Sequence, residues 1–136
     1  MSEPQYEVYA IKYAHHARRA SENFIGGDPH DGPMPLDYFV WLIRGAGREI
    51  VVDTGFSAAM AAKRKREHLR CPTEGLDLLN TDAKTIKDVV ITHLHYDHIG
   101  NFDLFPAATF HLQDLEMNYA TGRHMAQPVF GGAYEV

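Results

Sequence analysis

The chain has 136 residues and a formal net charge of -5, with 45% hydrophobic and 23% charged residues. This length suits one domain with a real core and is too short for two. The acidic balance argues against a nucleic-acid partner, whose binding surface needs a basic excess. Cys71 is the only cysteine, which excludes an internal disulfide and a cysteine-based zinc finger.

The N-terminal residues M-S-E-P-Q-Y-E lack the basic and then apolar character of a secretory signal. No apolar run approaches the length needed to span a bilayer. We therefore expect a cytoplasmic protein with neither a membrane nor a nucleic-acid partner. The basic run at residues 63–66 is interpreted as a solvated helix face.

The first half of the chain predicts two strand regions and a helix. Alternating Tyr, Val and Ile predict a strand over residues 6–13, and the Gly- and Pro-rich stretch 14–35 predicts a long loop. Two apolar runs, 37–44 and 48–53, flank the turn Gly-Ala-Gly and predict a β-hairpin. Ser57 is the expected N-cap of a helix over 58–69, which Cys71-Pro72 would end.

The second half predicts short strands followed by helical pieces. Leu76, Leu78 and Leu79 are expected in the core, and Asp82 is expected to cap a short turn. The runs 88–92 and 109–112 predict strands, and 113–125 predicts a helix. Strands and helices mixed in this order indicate an α/β layered domain.

Three histidines and an aspartate directly follow the strand predicted over residues 88–92, in the pattern His93-x-His95-x-Asp97-His98. Residues two apart on an extended segment point to the same side, so His93 and His95 can face one point. Asp97 and His98 lie beyond the strand end and can face a second point nearby. Imidazole and carboxylate groups suit zinc, so the pattern predicts part of a two-metal site. The alternative is that these are surface histidines without a ligand role.

At these residues the sequence resembles the metallo-β-lactamase superfamily. The segment T-H-L-H-Y-D-H (92–98) matches its HxHxDH signature, and I-V-V-D-T-G (50–55) is similar to the strand and turn that precede it. The segments D-H-I-G-N (97–101) and F-H-L-Q-D-L-E-M (110–117) are similar to the N-acyl-homoserine lactonase branch. The resemblance implies an α/β fold, namely the N-terminal half of an αββα sandwich with a mixed sheet and flanking helices.

The resemblance also implies site roles and an activity. His93 and His95 would bind a first Zn²⁺, and Asp97 and His98 a second; Asp97 would also be catalytic. Asp53 would support the metal-bound imidazoles by hydrogen bonding; a turn-forming Asp before Thr-Gly explains it equally well. The implied reaction is opening of a small-molecule lactone by a hydroxide that bridges the two metals. A glyoxalase II-like thioesterase is the alternative enzyme.

The superfamily pattern continues with a third histidine, a bridging aspartate and a last histidine that residues 1–136 do not supply. His111 and His124 are the only later histidines; we expect the first to be structural and the second exposed. We therefore expect a single, truncated domain that alone binds metal weakly, turns over poorly and exposes a sheet face, which favours a homodimer. A non-catalytic half-domain is the alternative from another class.

Overall fold

A six-stranded mixed sheet organises the chain in the computed structural model, which describes residues 3–135. The strands are β1 (Tyr6–His16), β2 (Leu36–Gly45), β3 (Arg48–Val52), β4 (Glu67–His68), β5 (Asp88–Val90) and β6 (Thr109–His111). Their order across the sheet is β4-β1-β2-β3-β5-β6. The β4-β1-β2-β3 part is antiparallel, whereas β3, β5 and β6 run parallel.

Short helices connect the strands. They are α1 (Ala20–Asn23), α2 (Ala58–Arg64), α3 (Pro72–Asp77), α4 (Tyr96–Ile99), α5 (Asp114–Ala120) and α6 (Pro128–Gly131). Single 3₁₀ turns occur at Ala83–Thr85, Phe102–Leu104 and Arg123–Ala126. The predicted α/β class with a mixed sheet is confirmed. Among the helices of residues 3–135, none combines the length and the apolar character needed to cross a membrane.

The β2–β3 hairpin forms as predicted. Gly45 pairs with Arg48, so the connecting loop consists of Ala46 and Gly47 alone. Both loop residues have positive φ, 49° and 72° respectively. Two consecutive positive φ values are typical of the tight turn whose twist matches that of the flanking strands.

The two faces of the sheet differ sharply in burial. Val40 and Leu42 of β2 are 1% and 0% exposed, whereas Phe39 and Trp41, which alternate with them, are 37% and 39% exposed. The buried face forms one core with side chains from the helices and from the segments between them. On the other face Val8 of β1 is also exposed. The expectation of an exposed apolar sheet face is therefore confirmed for the described residues.

The predicted helix over 58–69 is too long. Ser57 caps α2 as expected, because its side chain accepts a hydrogen bond from the amide of Met60. The helix ends at Arg64, where Lys65 adopts a left-handed conformation (φ 56°) that closes the last turn. The next residues extend again and form β4 against β1, so helix propensity was overridden by strand pairing.

Cys71-Pro72 begins a helix instead of ending one. Pro72 is the first residue of α3, a position where its missing amide hydrogen costs nothing. Leu76 of this helix is fully buried, but Leu78 is 71% exposed, so its predicted core position was wrong. Asp82 caps the following turn as predicted, accepting from the amide of Lys84.

Other predicted boundaries also moved. The loop predicted from residue 14 begins later, because β1 continues to His16 and α1 follows. The strand predicted over 88–92 ends at Val90, and the helix predicted over 113–125 breaks at Gly122 into α5 and a 3₁₀ turn. The short helix α6 near the C-terminus had no counterpart among the predicted elements.

A bulge in β1 directs Tyr13 into the core. The register with β2 shifts between Lys12 and Ala14, so Tyr13 is an extra residue in the strand. Consequently both Tyr13 and Ala14 are fully buried, although neighbours in a regular strand face opposite sides. The Tyr13 hydroxyl donates to the carbonyl oxygen of Asp97 at 3.0 Å, which ties the centre of the sheet to the predicted site.

Candidate metal centre

The predicted site residues lie where the parallel strands β3 and β5 end. Asp53 follows β3, and the segment from Thr92 to His98 follows β5. The amide of Asp53 donates to the carbonyl oxygen of Val90 at 2.8 Å, so the two strand ends remain joined. In open α/β sheets, the carboxyl ends of parallel strands are where ligands bind.

Asp53 is buried beneath the histidines in a strained backbone conformation. It is 3% exposed, and its φ is 63°, a left-handed value that an L-residue adopts at a cost. Its carboxylate accepts from His98 Nδ1 at 2.7 Å and from the Thr92 amide at 2.8 Å. Asp53 therefore does more than form a turn: it fixes the ring orientation of His98.

Thr92 extends this network to a second imidazole. Its hydroxyl lies 2.8 Å from Asp53 Oδ2 and 3.1 Å from His93 Nδ1. A carboxylate only accepts, so the single hydroxyl hydrogen goes to Asp53 and the oxygen accepts from His93 Nδ1–H. Both His93 and His98 then carry a hydrogen on Nδ1, so Nε2 of each ring is the nitrogen that can bind a cation once it is unprotonated.

The four predicted ligand side chains come together. The ring centroid of His93 lies 4.5 Å from that of His95 and 3.8 Å from that of His98. Asp97 Oδ2 lies 3.4 Å from His98 Nε2, the nitrogen that Asp53 leaves free. His93 and His95 are in irregular backbone beyond β5 instead of on the strand, and His95 is the N-cap of α4.

The charges in the cluster are set by these contacts. Burial opposes protonation of His98, but the hydrogen bonds to Asp53 and Asp97 outweigh it and raise its pKa to about 9. Burial and the neighbouring imidazoles of His98 and His95 lower the pKa of His93. For Asp97, burial opposes ionisation, yet the hydrogen bond with His98 holds its pKa below the usual value. Asp97 is therefore an anion at neutral pH, as a metal ligand must be.

The turn after β3 and the helix α4 lock together. The amide of Thr54 donates to the carbonyl oxygen of His98 at 2.7 Å, and the Asn101 side-chain amide donates to the Thr54 carbonyl oxygen at 2.9 Å. Gly100 allows this approach, since an added Cβ there would lie 2.7 Å from the carbonyl oxygen of Gly55. The D-T-G and H-I-G-N segments thus form one unit.

Four residues near the site escaped the sequence reasoning: Tyr13, Thr92, Glu116 and Tyr134. Tyr13 and Glu116 bind backbone atoms of the histidine segment, as Glu116 does by accepting from the Leu94 amide at 2.8 Å. The Thr92 hydroxyl contacts His93 Nδ1, and the Tyr134 ring packs against that of His95. Only Thr92, inside the motif itself, carried a signal that spacing could have revealed.

The remaining candidate histidines have other neighbours. His111 Nε2 contacts Asp88 Oδ1 at 2.9 Å, and the ring of His124 stacks on Tyr119 with centroids 5.4 Å apart. His111 and His124 are both exposed. The structure does not add either of them to the cluster.

The residues fit a metal centre in part. The free imidazole nitrogens and the Asp97 carboxylate are the donor types that zinc prefers. Across residues 3–135, however, no group of three or more His, Cys, Asp and Glu side chains is arranged to hold a single ion. The side chains that the structure describes therefore do not by themselves form a complete metal centre.

Comparison with known proteins decides the family. Residues 34–132, more than half of the chain, match the model of the metallo-beta-lactamase superfamily. The chain belongs to this superfamily. A probable metallo-hydrolase of Methanocaldococcus jannaschii is 44% identical over 46 residues, which are 34% of this chain and 23% of that protein.

Several solved structures share the fold. A probable metal-dependent hydrolase from Staphylococcus aureus superposes with a TM-score of 0.70 at 16% identity, covering 98% of this chain and 55% of that one. The hydrolase AbOPH superposes with a TM-score of 0.69 at 14% identity, covering 96% of this chain and 51% of that one. A quorum-quenching N-acyl homoserine lactone lactonase superposes with a TM-score of 0.65 at 16% identity, covering 87% of this chain and 49% of that one. The chain therefore spans about half the length of these structures.

Proposed function

We propose that this chain carries half of the binuclear zinc site of a hydrolase that opens lactone rings. The observation that carries the proposal is the convergence of His93, His95, Asp97 and His98 above a buried Asp53. Superfamily membership supports a metal-dependent hydrolase. Zinc and the lactone substrate are the finer parts of the proposal.

His93 and His95 would hold one zinc ion, and Asp97 and His98 would hold the other. Bound zinc lowers the pKa of a water molecule towards 7 and polarises a carbonyl group. Asp53 and Thr92 accept from the Nδ1 atoms of His98 and His93, so that Nε2 of each ring is left for the ion. At His98 the ion would displace the Nε2 proton that faces Asp97 without metal. Ring orientation is thereby set before any ion arrives.

Asp97 is the proposed catalytic residue. His98 contacts its carboxylate, and the Tyr13 hydroxyl donates to its backbone carbonyl oxygen. As an anion at neutral pH, it orients the attacking water and accepts its proton. It then returns this proton to the alkoxide oxygen that leaves when the ring C–O bond breaks.

The choice of a lactone rests on sequence similarity around the site. The segments 97–101 and 110–117 resemble the N-acyl-homoserine lactonase branch, and lactonases of that kind are among the structures that share the fold. Structural similarity at 16% identity supports the fold alone. A thioester substrate is the competing possibility, which the assay below includes.

The test is a hydrolysis assay on the protein as the cell makes it, with every segment that accompanies residues 1–136. The zinc-loaded enzyme is offered acyl-homoserine lactones and, in parallel, a panel of thioesters. We expect ring opening of the lactones and loss of more than about 99% of the rate in His95→Ala, since that ligand anchors the ion. The control His111→Ala alters an exposed histidine outside the cluster and should keep the rate.

Thioester cleavage without lactone cleavage would show that the substrate is a thioester instead of a lactone. Full activity in His95→Ala would refute the site.

A further inference from the structure

We propose that Glu116 is a positioning residue that braces the histidine segment of the zinc site through the Leu94 amide, while the Tyr134 ring supports the same segment by packing against His95. This inference rests on the proposed function, because it concerns how the zinc ligands His93 and His95 are held. Glu116 lies on α5, outside the ligand motif.

The contact of Glu116 with the histidine segment is direct. Its Oε1 accepts a hydrogen bond from the backbone amide of Leu94 at 2.8 Å. Leu94 lies between His93 and His95, so the position of its peptide affects the separation of the two imidazoles. A charged acceptor makes this a strong hydrogen bond.

The direction of the Glu116 side chain is unusual for its position. It is the third residue of α5, where a glutamate ordinarily reaches back to the amide of the N-cap residue of its own helix. Here the N-cap is Gln113, and the carboxylate instead reaches a segment 22 residues away. Helix capping therefore does not explain the contact, whereas support of the histidine segment does.

Tyr134 forms the second half of the brace. Its ring meets the ring of His95 edge to face, with centroids 4.7 Å apart and an interplanar angle of 90°. Burial and the nearby Glu116 carboxylate raise the pKa of Tyr134 to about 12. The Glu116 carboxylate thus holds the backbone beside His95, and the Tyr134 ring packs against His95 itself.

The tail that carries Tyr134 is itself tied to the site. The carbonyl oxygen of Ala133 accepts from the amide of Tyr96, the residue after His95, at 2.8 Å. Glu135 forms ion pairs with Lys63 and Arg64 at the end of α2. The guanidinium of Arg64 in turn lies 3.8 Å from the ring centroid of Tyr96. These contacts hold the Tyr134 ring against His95.

The experiment compares Glu116→Ala, Glu116→Gln and Tyr134→Ala in the same protein. Asp114→Ala is the matched control, since Asp114 is an exposed acid on the same helix. Two properties are measured: zinc affinity by calorimetry, and hydrogen exchange of the Leu94 amide with the metal chelated. Thermal unfolding identifies any variant that has lost its fold.

We expect Glu116→Ala to weaken zinc binding by about tenfold, which is the lower end of the range of losses seen for residues that orient metal ligands. It should also accelerate exchange of the Leu94 amide by about tenfold, because the substitution removes one charge-assisted hydrogen bond from this amide. Glu116→Gln keeps a carbonyl acceptor, so it should retain most of the zinc affinity and most of the protection of the Leu94 amide. Tyr134→Ala should weaken zinc binding while leaving the Leu94 amide protected.

The two measurements separate the brace from the function. Unchanged Leu94 exchange in a folded Glu116→Ala would overturn the brace, as would equal zinc affinity in Glu116→Ala and Asp114→Ala. If the unaltered protein binds no zinc, the proposed function fails. The metal-free exchange experiment then still decides whether Glu116 holds the Leu94 amide.

Discussion

Removal of the Asp53 carboxylate should destabilise the fold even without metal. The carboxylate accepts hydrogen bonds from His98 Nδ1 and from the amide and hydroxyl of Thr92, and it is 3% exposed. Breaking a buried charged pair by removing one partner costs about 3–5 kcal/mol. Asp53→Ala must also hold φ at 63°, which adds about 1–2 kcal/mol.

Two further substitutions at the same position separate these costs. Asp53→Gly loses the carboxylate but accepts the left-handed backbone, so it should be less destabilising than Asp53→Ala by about 1 kcal/mol. Asp53→Asn tolerates the backbone and keeps one acceptor oxygen, so it should cost least, about 2 kcal/mol. The expected order of stability is Asp, Asn, Gly, Ala.

Urea unfolding in the presence of a chelator measures these differences as changes in the free energy of unfolding. The free energy of unfolding of a small domain is about 5–15 kcal/mol in total. Asp53→Asn is therefore the variant whose stability can still be measured if the other variants are unfolded. The exposed carboxylate change Asp114→Asn serves as control and should stay within about 0.5 kcal/mol of the original protein. A loss below 1 kcal/mol in Asp53→Ala would refute the assigned hydrogen-bond network.

Three further effects are expected. Because the pKa of His98 rises from 6.5 to about 9 on folding, its stabilisation is complete below pH 6.5 and is lost as pH rises through 9. After solvent screening, about 1 kcal/mol should disappear between pH 7 and pH 9 in chelator, and Asp53→Asn should flatten this slope in urea titrations. Gly55→Ala, whose Cβ would lie 2.8 Å from Pro72 Cγ at a φ of 67°, should destabilise by about 2–4 kcal/mol in thermal unfolding. Lys65→Gly relieves a left-handed φ of 56° and should stabilise by about 0.5–1 kcal/mol; destabilisation would contradict the helix-end geometry.

Local spacing was enough to find the histidine cluster. Residues two apart share a side wherever the backbone is extended, and the backbone around His93 and His95 remains open enough beyond β5 for the same rule to bring their rings together. Asp97 and His98 could be predicted as well, because α4 begins at Tyr96 and turns both side chains towards the same region. A motif whose members are adjacent in sequence needs little tertiary information.

Contacts between distant segments could not be found in this way. Nothing in the sequence near Glu116 indicates that its carboxylate reaches the Leu94 amide, because that contact depends on how β5 and β6 pair. The end of α2 was missed for a related reason. Lys65 adopts a conformation usually reserved for glycine, and pairing of the next residues with β1 outweighs their helix propensity.

The most direct test of the metal centre is zinc titration of the protein and of single substitutions in the cluster. We expect His93→Ala, His95→Ala and His98→Ala each to weaken zinc binding by at least about tenfold. His111→Ala, which removes an exposed histidine paired with Asp88, should bind zinc as the original protein does. Equal zinc affinity across all four variants would show that these imidazoles do not hold the ion.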